Sequence, residues 1–520
     1  MEEENIKEIL DQRRYMKFRL IIQGTIIGLI TGMVIVLNRI AITKLSIFAE
    51  NIYKWGNNNL LNSILVICII SILGYIVGIM VKNEPMISGS GIPQVKARVV
   101  NKLKMNWLKV FIYKFLGGVI ALSAGLTLGR EGPSVQIGAS VGEGIAEKTY
   151  SKFPVKKEFL ITAGASAGLS AAFNSPLSGI VFALEEIHRS FSPLVLLPAM
   201  VAAVSADFVS KNFLGMEPVL NFKLIATIPL NYYWILIILG ILTGIMGVIF
   251  SKGVYLFQDI YVKFKKVPQE YKVMIPFIIT SIIGLIAPFL LGGGHELILG
   301  LTSNNKSIGM LLILYFLKLL LLLICFGSGV PGGIFLPMLA LGAIIGNIMG
   351  IFSNEVLGIN SIFIINFIAM GMAGYFAAVV KAPITGIVLI MEMTGSFNHL
   401  LSLSVVVIIS YFTSELLRNE AIYEVLLERL LKKVGIYKEE NKNKKTILEF
   451  VVEMGSVVEG QYIKDINWPK DCLLVSIKRC EKEIIPKGYV KLESGDYIVA
   501  LVNIDKRGIV IEEVNKLTLT

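Results

Sequence analysis

Apolar residues run in long, nearly unbroken blocks from Leu20 to Phe412, as in FRLIIQGTIIGLITGMVIVL and LLILYFLKLLLLLICFG. A bilayer core about 30 Å thick needs roughly 20 such residues for one helical crossing. The blocks therefore predict a series of membrane-spanning helices within residues 1–430. A charged stretch at 431–446 ends the series as a linker. From 447 to 520 the pattern changes to short alternating runs: ILEFVVEM, CLLVSIKRC, YVKL, DYIVALV and GIVIEEV. Turn residues at Trp468-Pro469, Pro486-Lys487-Gly488 and Ser494-Gly495-Asp496 punctuate them. This predicts a small soluble α+β unit after an all-α membrane unit.

Composition supports the membrane reading. Of 520 residues, 54% are hydrophobic and only 17% charged, with a mean hydropathy of +0.71. A soluble core of this size carries more charge. The net charge of +11 gathers partly at the ends of the apolar series, with Arg13, Arg14, Lys17 and Arg19 before it and LERLLKKVGIYKEENKNKK after it. Positive flanks stay cytoplasmic, which places both termini inside, and no cleavable leader pattern is visible. Topology and anionic lipid account for the charge, so no nucleic-acid partner is required. Cys68, Cys325, Cys472 and Cys480 form no metal spacing and read as packed free thiols.

The membrane part echoes itself. GSGIP (89–93) returns as GSGVP (327–331), GREGPSVQIGASVG (129–142) as GIFLPMLALGAIIG (333–346), and NSPLSGIVFALEE (174–186) as KAPITGIVLIMEM (381–393). Three ordered matches indicate a duplicated unit, with repeats at about 20–205 and 230–425. Transporters are often built as inverted repeats that hold the substrate at their interface. The Gly/Pro interruptions fall between apolar runs, where non-helical backbone survives only if it is buried or lines a polar cavity. They read as broken helices.

Broken helices bring their own chemistry. Pro93, Pro133 and Pro337 each follow glycine and precede an apolar run, which suits the first turn of a helix. The free N–H groups and positive dipole end of such helices bind anions. Ser90 can add a hydroxyl donor, and Phe335 a backbone N–H and a bulky wall. Arg130 and Glu131 lie at membrane depth, where an unpaired charge costs roughly 3 kcal/mol on insertion scales. A Glu131 carboxylate at a helix N-terminus can occupy an anion position, and protonation would release it for a mobile anion. Glu185 and Glu186 end an apolar helix and, from the residues alone, read as a helix end. His188 reads as surface-facing and His295 as a loop residue.

Taken together and in order, GSGIP, GREGP, AAFNSPLSGIVFALEE (171–186), GGIFLP (332–337), KAPITGIVLIMEMT (381–394) and the Tyr of NEAIYEVL (419–426) resemble the CLC chloride channels and transporters. The resemblance covers about 15–430. It implies a homodimer in a bacterial cell membrane, each subunit with its own anion pathway. Its central anion site falls on Ser90, Ile334, Phe335 and Tyr423, its gating glutamate on Glu131 and its inner proton-transfer glutamate on Glu186. Lys114 and Arg130 would make the pathway more positive. A serine at position 90 implies chloride over nitrate, and the filter differs from that of the fluoride-exporting branch. The function implied is secondary active chloride/proton antiport, with a passive chloride channel of the same fold as the alternative. One departure stands out. Gln94 and Lys96 follow GSGIP where many relatives have an acidic stretch, and a Lys96 beside Glu186 would stabilise the carboxylate and weaken strict coupling.

The tail is similar to the TrkA-C domain in its GS, W-P, R-x-x-x-x-I-I-P and GDxI pattern over about 447–520. That resemblance implies a dimeric, ligand-sensing cytoplasmic unit. Some relatives bind cyclic di-AMP, and Ile463, Ile466, Arg479 and Pro486 are the residues that could line a nucleotide site. Alternatively the unit only strengthens the dimer. A potassium pathway, suggested by the tail alone, lacks a TVGYG-like filter. No nucleophile–base set, metal spacing or phosphate loop supports an enzyme, and no cofactor beyond the transported ion is expected.

Overall fold

A computed structural model describes residues 2–149, 156–220, 222, 227–302, 307–436, 445–479, 482–503 and 506–519, with side chains from Met16 onward. Cys480 and residues 437–444 of the 431–446 linker lie outside the described residues. The chain forms two compact units, Met1–Leu430 and Leu431–Thr520.

The first half of the membrane unit runs α1 (Glu2–Gly56), α2 (Leu60–Asn83), α3 (Ile92–Val99), α4 (Trp107–Ser123), α5 (Glu131–Thr149), α6 (Lys157–Phe173), α7 (Pro176–Phe182), a π-helical turn (Ala183–His188) and α8 (Pro193–Leu214). The second half runs α9 (Tyr233–Lys263), α10 (Gln269–Ile286), α11 (His295–Leu301), α12 (Ile308–Gly327), α13 (Phe335–Leu357), α14 (Ile364–Val380), α15 (Pro383–Thr394) and α16 (Leu400–Leu416), and α17 (Ile422–Lys433) follows. Among the described residues, eight helices are long and apolar enough to cross a membrane. By contrast, α3, α7 and α11 have only 8, 7 and 7 residues, too short to cross alone.

The two halves repeat the same packing. The α5–α6, α1–α8 and α6–α8 pairs of the first recur as α13–α14, α9–α16 and α14–α16 in the second. Close approach comes from glycine at matching positions. A Cβ on Gly164 would collide with the Gly138 carbonyl, and one on Gly371 with the Gly342 carbonyl. The halves are also inverted. Glu392 at the end of α15 accepts the Leu177 and Ser178 amides of α7 at 3.0 and 2.7 Å. Glu185, just past α7, accepts the Ile384 and Thr385 amides of α15 at 3.3 and 2.8 Å. Each carboxylate caps the other helix's N-terminus, so α7 and α15 run antiparallel. The helix-end reading of Glu185 thus gains a specific partner.

The structure corrects four readings. GSGVP (327–331) is not the counterpart of GSGIP, because it joins α12 to α13, whereas the element matching α3 is α11. Both segments use left-handed glycines to turn the chain, at Gly89, Gly91 and Gly329. They also pair with each other, Gly89 N donating to Gly329 O at 3.4 Å, and Gly332 N just beyond donates to Gly89 O at 3.0 Å. His295 is the first residue of α11 rather than a loop residue. His188 is half-buried, its Nδ1 3.0 Å from Thr162 Oγ1. Cys68 is exposed on the outer face of α2, whereas Cys325 is buried.

The C-terminal unit is a four-stranded antiparallel sheet in the order β1 (Lys445–Val451), β4 (Tyr497–Asn503), β2 (Cys472–Arg479), β3 (Lys482–Ile484), followed by α18 (Arg507–Thr518). Two expected strands are absent from this sheet. YVKL contributes only a Tyr462–Lys491 bridge, and GIVIEEV is helical. In that helix Val510 and Val514, four residues apart, are the buried pair on the core.

Gly164→Ala should destabilise the membrane unit by about 1–3 kcal/mol, since the new methyl meets backbone that cannot yield. Gly309→Ala, where a Cβ meets nothing within 4 Å, should leave the unfolding temperature in detergent unchanged.

Candidate anion-binding site

The site is assembled where the repeats meet. Gly129 and Gly333 form an isolated antiparallel bridge, each amide donating to the other's carbonyl at 2.7 Å. Two residues further on, α5 begins at Glu131 and α13 at Phe335. Their N-termini are thereby held at one point, with free amides aimed inward. The α3 N-terminus joins them. It starts after Gly91 at φ +90° with no side-chain cap, and a Cβ on Gly132 would come within 2.8 Å of the Ser90 carbonyl.

Ser90 is buried, and its Oγ accepts the Ile92 amide at 3.3 Å. Ile334 and Phe335 are fully buried. The Phe335 ring sits 4.9, 5.3 and 5.9 Å from the rings of Phe376, Phe173 and Phe182, which fixes its orientation. Tyr423 enters from α17, fully buried, and its hydroxyl has no hydrogen-bond partner. Both Glu131 and Glu186 act electrostatically on that hydroxyl. The structure therefore brings all four expected anion-site residues into the buried region between the repeats.

Glu131 is completely buried, and the backbone amides of Leu336 and of Glu131 itself act on its carboxylate, with no side-chain hydrogen bond. Its Oε1 lies 3.9 Å from Arg130 Nε. A Cβ added to Gly129 would collide with its Oε2 and would lie 3.2 Å from the Leu336 amide. The carboxylate thus stands beside the amide end of α13, in the place a small anion would take. Burial makes this charge costly, and a carboxylate held by backbone amides alone can give them up to another anion.

Lys114 does not face the anion directly. Its Nζ donates to Ile87 O at 2.8 Å and Gly89 O at 2.6 Å. These bonds tie up the two carbonyls just ahead of Ser90. Lys318 does the same in the second repeat, donating to Leu290, Leu291 and Gly292 carbonyls at 2.7, 3.2 and 2.7 Å. Sequence reasoning passed over Lys318, although the α4–α12 correspondence pairs it with Lys114.

Glu186 lies in the π-helical turn, almost fully buried, with Lys96 Nζ 2.6 Å from its Oε1. The lysine that departs from the acidic pattern is thus in direct contact with this acid.

The tail residues behave differently. Ile463 and Ile466 pack into the core of the C-terminal unit. Arg479 is held by Asp496 through Nε and Nη2 at 2.8 Å each, and by Glu493 at 2.7 Å. Pro486 is half-buried. Three of the four candidates therefore have partners within the unit's own fold.

An inverted duplication whose broken helices converge on a buried, donor-lined point defines a secondary transporter or channel for a small anion. The family described as voltage gated chloride channel matches residues 73–415, and the chain belongs to that family. Residues 447–507 match the TrkA-C domain. The chain is 34% identical over 427 residues to the H(+)/Cl(-) exchange transporter ClcA of Vibrio parahaemolyticus, covering 80% of this chain and 90% of that protein. It is 36% identical over 370 residues to the ClcA of Yersinia pestis, 70% of this chain and 77% of that one. Among solved structures, a slow cyanobacterial Cl−/H+ antiporter superposes with a TM-score of 0.75 at 29% identity, covering 80% of this chain and 99% of that one. A eukaryotic CLC transporter shares the fold, with a TM-score of 0.66 at 22% identity, over 80% of this chain and 74% of that one.

A Glu131 carboxylate beside the α13 amides should compete with a halide, so Glu131→Gln should bind halide more tightly. Added chloride should raise the unfolding temperature of the variant more than that of the wild type. An equal rise in both would remove Glu131 from the site.

Proposed function

We propose that this protein is a chloride/proton antiporter of a bacterial cell membrane, not an enzyme, working as a homodimer with one pathway per subunit and both termini cytoplasmic. The observation that carries this reading is the pair of buried carboxylates, Glu131 and Glu186, both near the buried, unpartnered Tyr423 hydroxyl. Chloride would sit between the α5 and α13 amides, the Ser90 hydroxyl and the Tyr423 hydroxyl. Protonating Glu131 neutralises it, and the anion takes its place. Glu186 exchanges protons with the cytoplasmic face. The two ions cannot occupy the Glu131 position together as charges, which ties the two fluxes to each other. The similarity to the H(+)/Cl(-) exchange transporters ClcA supports this reading.

A passive chloride channel is the second reading. The 2.6 Å contact between Lys96 and Glu186 favours it, because a carboxylate held by an ammonium gives up its charge less readily.

In reconstituted vesicles with voltage clamped by valinomycin, a chloride gradient should drive protons uphill. Glu131→Ala and Glu186→Ala should each abolish proton movement. Chloride flux without proton movement in the wild type would decide for the channel.

For the C-terminal unit we propose a regulatory role through a nucleotide effector such as cyclic di-AMP, on the strength of the TrkA-C match alone. Titration calorimetry on the full-length protein should show saturable binding of cyclic di-AMP and a changed chloride flux. If no heat is seen at tens of micromolar ligand, the unit serves to strengthen the dimer instead.

A further inference from the structure

Glu186 is not open to solvent in this protein. Lys96 Nζ, from α3, lies 2.6 Å from Glu186 Oε1 and is also paired with Glu424 of α17. Arg189 Nη2, at the end of the π-helical turn, lies 3.0 Å from Glu424 Oε1. The side chains of Glu186 and Lys96 are 3% and 4% exposed, that of Glu424 29% and that of Arg189 52%. Four charges of alternating sign thus lead from the sealed interior to the surface. The α17 helix places Tyr423 and Glu424 in consecutive positions, one facing the anion site and the other ending this row.

We propose that Glu424 and Arg189 are positioning residues that, acting through Lys96, set how readily Glu186 loads a proton. This rests on the antiport reading above. When Glu186 accepts a proton from water, one O–H bond forms at its carboxylate and its charge is lost. Lys96 then keeps a full ion pair with Glu424, so no buried cation is left alone, which would cost several kcal/mol. When Glu186 releases the proton, Lys96 shares its charge between both acids again. Arg189 competes with Lys96 for Glu424 and so controls how much of that acid is available.

The charged groups acting on Glu186 come from α3 (Lys96), α17 (Glu424) and the turn's own end (Arg189). The other elements packed on the turn bring different chemistry. From α6, Thr162 meets His188, whereas α7 and α8 present Ile180, Val195 and Ala203. The row is therefore the electrostatic control nearest to Glu186.

Alternation of sign gives the proposal a signature that a structural role lacks. Glu424→Gln leaves Lys96 to Glu186 alone and holds that acid ionised. Arg189→Gln frees Glu424 to draw Lys96 away, which has the opposite effect. Chloride-driven proton uptake is measured in vesicles with pH varied equally on both sides, alongside chloride flux and elution volume. Glu424→Gln should move the pH of half-maximal proton uptake down by roughly half to one unit. Arg189→Gln should move it up, and Glu424→Asp should return it towards the wild type. Shifts in the same direction, or unmoved profiles in variants that still pump protons, would overturn the proposal. A wild type that moves chloride but no protons would overturn the antiport reading itself, and this inference with it.

Discussion

The two hydrogen bonds between Gly129 and Gly333 are the interaction on which the site depends. They join the repeats two residues before α5 and α13 begin, so both helix N-termini are aimed at a common point. Glycine is needed at both ends. A Cβ on Gly333 would lie 3.1 Å from the Gly132 amide, and one on Gly129 would strike the Glu131 carboxylate. In a bilayer no water satisfies a broken helix, so the irregular backbone must find partners within the protein. The bridge supplies part of that satisfaction and leaves the remaining amides for an anion. It provides positive potential without placing a full cation in the pathway, which keeps binding weak enough for release.

Buried charges in this protein fall into distinct environments. Lys114 and Lys318 are saturated by carbonyls, and Glu185 and Glu392 by amides and hydroxyls at opposed helix ends. Those four hold the architecture in place, and their symmetry across the repeats shows it. Glu186 is paired but in a row that reaches the surface. Glu131 alone of these has no side-chain hydrogen bond, only backbone amides and Arg130 at 3.9 Å. The gradation from fully to loosely satisfied separates the charges that maintain the fold from those free to change state.

In the C-terminal unit the arginine singled out by its motif turns out to be a tie within the fold. Asp496 is fully buried, and Arg479 neutralises it with a bidentate pair while also reaching the Lys491 carbonyl. A buried carboxylate of this kind needs its partner for stability. The R-x-x-x-x-I-I-P and GDxI patterns thus meet in space because one closes the charge of the other.

Sequence alone determined the membrane class, the two-unit organisation, the duplication and the glycine and proline positions that break the helices. These are local quantities: run length, glycine and proline placement, and motif order. Period also misled locally, as with GIVIEEV, where a short apolar run fits a strand and a helix equally and only packing of Val510 and Val514 against the sheet decided. The pairing of GSGIP with GSGVP was likewise visible only as similarity, whereas the fold makes the two segments bonded neighbours. Tertiary structure alone decided that Lys96 touches Glu186, that Glu424 and Arg189 extend that contact to the surface, and that Lys318 mirrors Lys114. Ninety residues separate Lys96 from Glu186, and no local pattern encodes a distance in space. Charge interactions fall off over a few ångströms, so which charges matter to each other is settled only once the helices have packed.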